Sequence, residues 1–201
     1  ELLSKVLNKK SIKKKINRPI ILIGSKNLIK AQLKILKRKL VFEIIKKNKL
    51  IINKLNKKVY LINVNYSFNR AFEKISNNSK NYISDCFKEG LKILNSKQSN
   101  IIINGPISKR NFLQNKYPGI TEYIYDKAKK KKSNRPVMLI FNKDLSVSPI
   151  TTHIPLKFVH KKINKKNVVN NVLNINYFYE KILKIKPKIA MLGLNPHCES
   201  K

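Results

Sequence analysis

Cysteine occurs twice, histidine three times and acidic residues only ten times in this 201-residue chain, against 45 lysines and arginines. Cys86 and Cys198 lie far apart and match no metal or redox spacing, so the chain reads as a reduced, cytoplasmic protein. No apolar run approaches the roughly 18 residues that a membrane span needs, and ELLSKVLNKK at 1–10 lacks the apolar region of a signal peptide. Internal repeats and long linkers are missing too. Two closely packed halves are therefore expected, and the 42% hydrophobic content is enough for a core.

The shortage of acids leaves a formal net charge of +35. Clustered Lys and Arg bind polyanions by releasing counterions from phosphate. Here, however, the lysines are spread through the chain among Asn and Ile, as in KKINKKNVVNNVLNIN at 161–176. Those three residue types share A- and T-rich codons, so genome composition accounts for the pattern. Zinc-finger spacing, an aromatic RNA-binding signature and a bounded basic arm are all absent. The expectation is non-specific attraction to nucleic acid through charge alone.

Hydrophobic patterning gives an α/β chain. Leu2, Leu3, Val6 and Leu7 recur at helical spacing. RPIILIGS at 18–25 is a continuous apolar run ended by Gly24, typical of a strand buried on both faces. A basic amphipathic helix is predicted over 26–38, strands at LVFEII (40–45) and KVYLINV (58–64), and a helix over 67–97. NIIINGPISK at 100–109 reads as a buried strand entering a Gly-Pro turn and a helix. After Lys109 two apolar runs split by NKDLS (142–146) predict a hairpin, 166–184 a helix, and KIAMLGLNPH (188–197) a last strand. Strands alternating with helices imply a partly parallel sheet. The expected division is a first α/β domain at 1–109 and a second at 110–201.

Three predicted strand ends carry polar residues: NGPISK (104–109), TTH (151–153) and GLNPH (193–197). Ligands of open α/β sheets lie at the carboxyl ends of strands. His153 and His197 converging there would suit a divalent metal, although either could equally be a capped strand-end residue. His160, beside Lys161 and Lys162, reads as solvated. Lys109, at a strand-to-helix turn, could meet a phosphate or carboxylate. Thr121 and Glu122 follow a Pro-Gly turn and could simply open a helix.

INGPISK (103–109), YPGITEYI (117–124), VMLIFNKDLSVSPITTHIPL (137–156) and IAMLGLNPH (189–197) occur in that order. Together they resemble the 4-hydroxythreonine-4-phosphate dehydrogenases of pyridoxal phosphate (vitamin B6) biosynthesis, over essentially the whole chain. The resemblance implies a fold like the isocitrate and isopropylmalate dehydrogenases, which is not the Rossmann fold. It implies a homodimer with an active site shared between subunits, its interface in the second domain. It also implies NAD- and divalent-metal-dependent (Zn, Mg or Co) oxidation of 4-phosphooxy-L-threonine, then decarboxylation to 3-amino-2-oxopropyl phosphate. By the same resemblance His153 and His197 are metal ligands, and Thr121 and Lys109 bind substrate. Catalytic and NAD-binding residues are not assigned.

The departures are specific. Ile120 stands where the family has a substrate-binding histidine, and CESK follows GLNPH where Ala-Gly-Glu or Ala-Gly-Asp is usual. Glu1-Leu2 fits the tail of a Gly-Ile-Gly-Pro-Glu turn. The chain is accordingly expected to be truncated at both ends, without a first strand, without part of its second domain, and inactive alone. The alternatives are a dehydrogenase of the same fold group acting on another phosphorylated hydroxy acid, and a non-catalytic basic polyanion-binding protein.

Overall fold

The computed structural model describes residues 2–9, 17–46, 51–76, 79–128 and 136–193. They form two compact units, Glu1–Ala128 and Lys129–Lys201. The expected boundary after Lys109 falls inside the first unit, because the helices that follow it are held by that unit's core. His197 and Cys198 lie outside the described residues.

Strands β1 (Ile20–Gly24), β2 (Glu43–Ile44) and β3 (Val59–Asn63) make a parallel sheet in the order β1-β3-β2. Central β3 aligns Leu61 with Leu22 of β1 and with Ile44 of β2. Tyr60, Leu61 and Ile62 are all buried, which is why β3 is apolar on both faces instead of alternating. The run LVFEII contributes only two paired residues, and Val41 is exposed.

Helix α1 (Leu2–Asn8) and helix α2 (Lys26–Ile35) form where the apolar spacing placed them. Ser25 caps α2, its hydroxyl accepting from Leu28 N at 3.3 Å. Helix α3 (Ser79–Asn95) covers only the second part of the expected 67–97 segment. Residues 67–76 are irregular and leave Phe72 and Ile75 exposed. Residues 101–108, expected to begin as a strand, are irregular, with Ile103 90% exposed.

Gly90 lets α3 approach this segment and β1. A Cβ there would stand 2.6 Å from Ile102 Cδ1 and 3.5 Å from Ile23 Cδ1. Helices α4 (Lys109–Leu113) and α5 (Ile120–Ala128) then close over α3. Phe87, Phe112, Leu113 and Tyr123 form their common core, with Ile83, Ile107, Tyr117, Ile120 and Ile124 packed around it.

In the second unit the expected hairpin is reduced to one antiparallel bridge, Ile140 with Val147. Ser146 closes the NKDLS turn: its hydroxyl receives Asn142 N at 3.1 Å and the Tyr179 hydroxyl at 2.8 Å. Helices α6 (Val159–Lys162) and α7 (Lys165–Tyr177) follow, and α7 runs on as a π-helical turn, Phe178–Leu183. Asn164 caps α7 through Asn167 N at 3.0 Å. The described part of the predicted last strand, 188–193, is irregular and exposed, with Leu192 89% accessible.

Candidate active site

At the carboxyl end of β1 and β3, where an open α/β sheet offers its crevice, the protein's own groups occupy the donors. Ser25 N donates to the Tyr82 hydroxyl at 2.9 Å, Lys26 N to Asn63 Oδ1 at 2.8 Å, and Asn63 Nδ2 to Asn65 Oδ1 at 2.8 Å. Together with the Ser25 cap, these contacts occupy the amides that would otherwise greet an anion at the start of α2. Burial pushes the Tyr82 phenol up to about 12; neighbouring Cys86 adds to the shift and the bond from Ser25 N opposes it. Tyr82 also stacks on Tyr66, centroids 4.6 Å apart. Neither Ser25 nor Tyr82, 57 positions apart, was singled out by the sequence pattern, because no local signal joins them.

Lys109 opens α4 and Thr121 is the second residue of α5. Both are exposed, on helices whose Phe112, Leu113 and Tyr123 are buried in the common core. Ser108 caps α4, accepting from Asn111 N at 3.4 Å and donating to Asn111 Oδ1 at 2.7 Å. Left-handed Gln114 (φ 48°) and Asn115 (φ 58°) end α4. Beyond them the Tyr117 hydroxyl donates to Asp126 Oδ2 at 2.6 Å, tying the turn to α5. That hydrogen bond, more than burial, raises the Tyr117 pKa above the usual phenol value. The structure thus sets Lys109 and Thr121 on neighbouring helices over one aromatic core. Ile120 does not face a polar site there; it packs against that core. Glu122, next to Thr121, buries one carboxylate oxygen, Oε2, without a hydrogen-bond partner among the described residues. Its place in the first turn of α5 is favourable to negative charge.

His153 belongs to the second unit. It is exposed and does not end a strand: residues 151–155 are irregular, and His153 alone among them turns left-handed, at φ 53°. A left-handed non-glycine residue costs roughly 1–2 kcal/mol, and such strain clusters at functional sites. His160 is exposed on α6, as expected. No group of three or more His, Cys, Asp or Glu able to hold a metal occurs among the described residues. Of the expected metal pair only His153 is described, so these residues alone do not make a metal site.

The model of the family described as pyridoxal phosphate biosynthetic protein PdxA matches residues 15–201. This chain belongs to the PdxA family. A 4-hydroxythreonine-4-phosphate dehydrogenase of Sulfurihydrogenibium sp. is 34% identical over 203 residues, covering 98% of this chain and 59% of the relative. Another, from Aquifex aeolicus, is 36% identical over 81 residues, 40% of this chain and 24% of the relative. The chain thus spans about three fifths of the length of the Sulfurihydrogenibium relative.

Among solved structures, the 4-hydroxythreonine-4-phosphate dehydrogenase of Klebsiella pneumoniae superposes with a TM-score of 0.77 at 17% identity. That match covers 98% of this chain and 59% of the other. A Salmonella typhimurium structure gives 0.80 at 19%, covering all of this chain and 61% of the other. The PdxA fold, isocitrate dehydrogenase-like with a parallel sheet, is therefore the fold of this chain. No helix among its described residues is long and apolar enough to cross a membrane.

Proposed function

We propose that the protein serves pyridoxal phosphate biosynthesis as a 4-hydroxythreonine-4-phosphate dehydrogenase. It oxidises the secondary alcohol of the phosphorylated amino acid with NAD as hydride acceptor, and the β-keto acid then loses CO₂. The match to the PdxA family over residues 15–201 carries this reading. Thr121 offers a hydroxyl that can both donate and accept, and Lys109 a cation suited to the substrate's phosphate or carboxylate. His153 and His197 are the residues proposed for a divalent metal, which when bound would polarise the alcohol oxygen. We further propose that the enzyme works as a cytoplasmic homodimer with a shared active site.

Ile120 favours a second reading. Its side chain is committed to the apolar core beside Thr121, so the site lacks a polar contact there, and another phosphorylated hydroxy acid becomes a candidate substrate. Calorimetric titration separates the two. Under the first reading the protein binds 4-phosphooxy-L-threonine at least about tenfold more tightly than the unphosphorylated amino acid, because one charge-assisted bond contributes about 1.5–3 kcal/mol. Equal affinity for the two, with tighter binding of a different hydroxy-acid phosphate, would favour the second.

A further inference from the structure

Helices α2, α4 and α7 begin behind side-chain caps: Ser25, Ser108 and Asn164 each accept from an amide of the first turn. Helix α5, whose second residue is Thr121, begins behind Gly119, which has no side chain to do this. Glu122 does not replace it. Its buried Oε2 has no hydrogen-bond partner among the described residues, so that oxygen closes no capping box. At nine residues α5 is also shorter than the roughly 12–15 that an isolated helix needs. The turn that carries the proposed substrate hydroxyl therefore has to be held from elsewhere.

Tyr117 supplies the hold. Its ring stands edge-on to Tyr123, centroids 5.4 Å apart at 87°, and Tyr123 is itself buried with Phe87 and Phe112. Its hydroxyl donates to Asp126 Oδ2 at 2.6 Å, nine positions along the chain. The Lys127 ammonium, 3.7 Å from the same oxygen, makes only an exposed pair of the weak kind. Pro118 fixes its own φ and confines Tyr117 to extended backbone, which leaves Gly119 as the loose point of the approach. The first turn of α5, residues 120–123, lies inside the loop that the Tyr117–Asp126 bond closes. Unwinding it would lengthen that stretch by about 7 Å, since an extended residue rises roughly 3.3 Å and a helical one roughly 1.5 Å. A hydrogen bond of 2.6 Å does not survive such a change.

We propose that Tyr117 and Asp126 are positioning residues for Thr121: their bond keeps the uncapped first turn of α5 wound, and so keeps the Thr121 hydroxyl where the phosphorylated substrate meets it. The proposal rests on the reading of Thr121 given above and adds the pair that acts through it. An affinity that depends on the wound turn falls with the fraction of molecules that hold it.

Tyr117→Phe removes the hydroxyl and keeps the ring on Tyr123. In hydrogen exchange it should lower protection of the Tyr123 amide, bonded to Gly119 O at 3.2 Å, roughly tenfold and leave the Phe112 amide unchanged. Unchanged protection at Tyr123, or an equal loss at Phe112, overturns the brace. Calorimetric titration of 4-phosphooxy-L-threonine reads the positioning. Tyr117→Phe should weaken binding roughly threefold or more, and should add no further loss once Thr121→Val is present, because the two act through one contact. An equal loss with and without Thr121→Val, or no loss from Tyr117→Phe while Thr121→Val weakens binding, overturns the positioning role alone. No binding by the parent chain, or binding unchanged by Thr121→Val, overturns the reading of Thr121 and the positioning role with it.

Discussion

Phe112→Ala should loosen the platform that carries both proposed substrate residues of the first unit. Phe112 is 5% exposed, and its ring meets Tyr123 edge-on at 5.0 Å and Phe87 at 5.8 Å. Truncating a buried phenylalanine costs about 3–5 kcal/mol through lost transfer energy and the cavity left behind. The two ring contacts, each worth about 0.5–1.5 kcal/mol in comparable pairs, argue for the upper part of that range. A domain has only about 5–15 kcal/mol in total, so the loss is a large share. Urea denaturation should show it directly. Phe112→Leu, which keeps most of the volume, should cost under about 1.5 kcal/mol. Hydrogen exchange gives the local reading: the amides of Phe112 and Tyr123, bonded to Ser108 O and Gly119 O, should lose protection together. A loss under about 1 kcal/mol for Phe112→Ala, or protection at Tyr123 left intact, would refute the idea that this core holds α4 and α5 as one platform.

Ile120→His should lower stability by about 1–2 kcal/mol, since it puts a polar ring against the aromatic core; thermal melts read the loss, and an unchanged melting temperature would count against that packing. Tyr82 has a folded pKa raised to about 12 from 10.0, so its neutral form stabilises the fold fully below pH 10, and that contribution is lost as pH climbs towards 12. Tyr82→Phe should flatten this part of the stability curve relative to the parent, and parallel curves would count against it. Binding of random oligonucleotides should fall steeply with salt and show no sequence preference in competition assays.

Much of the first unit was legible because its signals are local or periodic. β1 and β3 are continuous apolar runs and α2 follows its 3.6-residue spacing, as α7 does in the second unit. The runs at 101–103 and 189–192 are just as apolar, yet neither is a strand, and Ile103 and Leu192 are almost fully exposed. An apolar run specifies a strand only where a neighbour pairs with it, and neighbours are set by the fold, not by the run. His153 shows the same limit at a site. TTHIPL reads as a strand stopping at a proline, but the backbone turns left-handed one residue before Ile154, which no pattern in those residues announces. Thr121 and Lys109 were placed correctly at helix starts by their Pro-Gly and Gly-Pro turns. That Ile120 belongs to the core was hidden, because its cluster joins α3, α4 and α5 across more than thirty positions.

The most direct test of the central claim is titration of 4-phosphooxy-L-threonine into the protein and into its Thr121→Val and Lys109→Ala variants. Both substitutions are at exposed positions and should leave the fold intact by circular dichroism. The account predicts that each weakens binding roughly tenfold or more, and that Lys109→Ala removes most of the preference for the phosphorylated over the unphosphorylated amino acid. Unchanged affinity in both variants, with the fold intact, would contradict it.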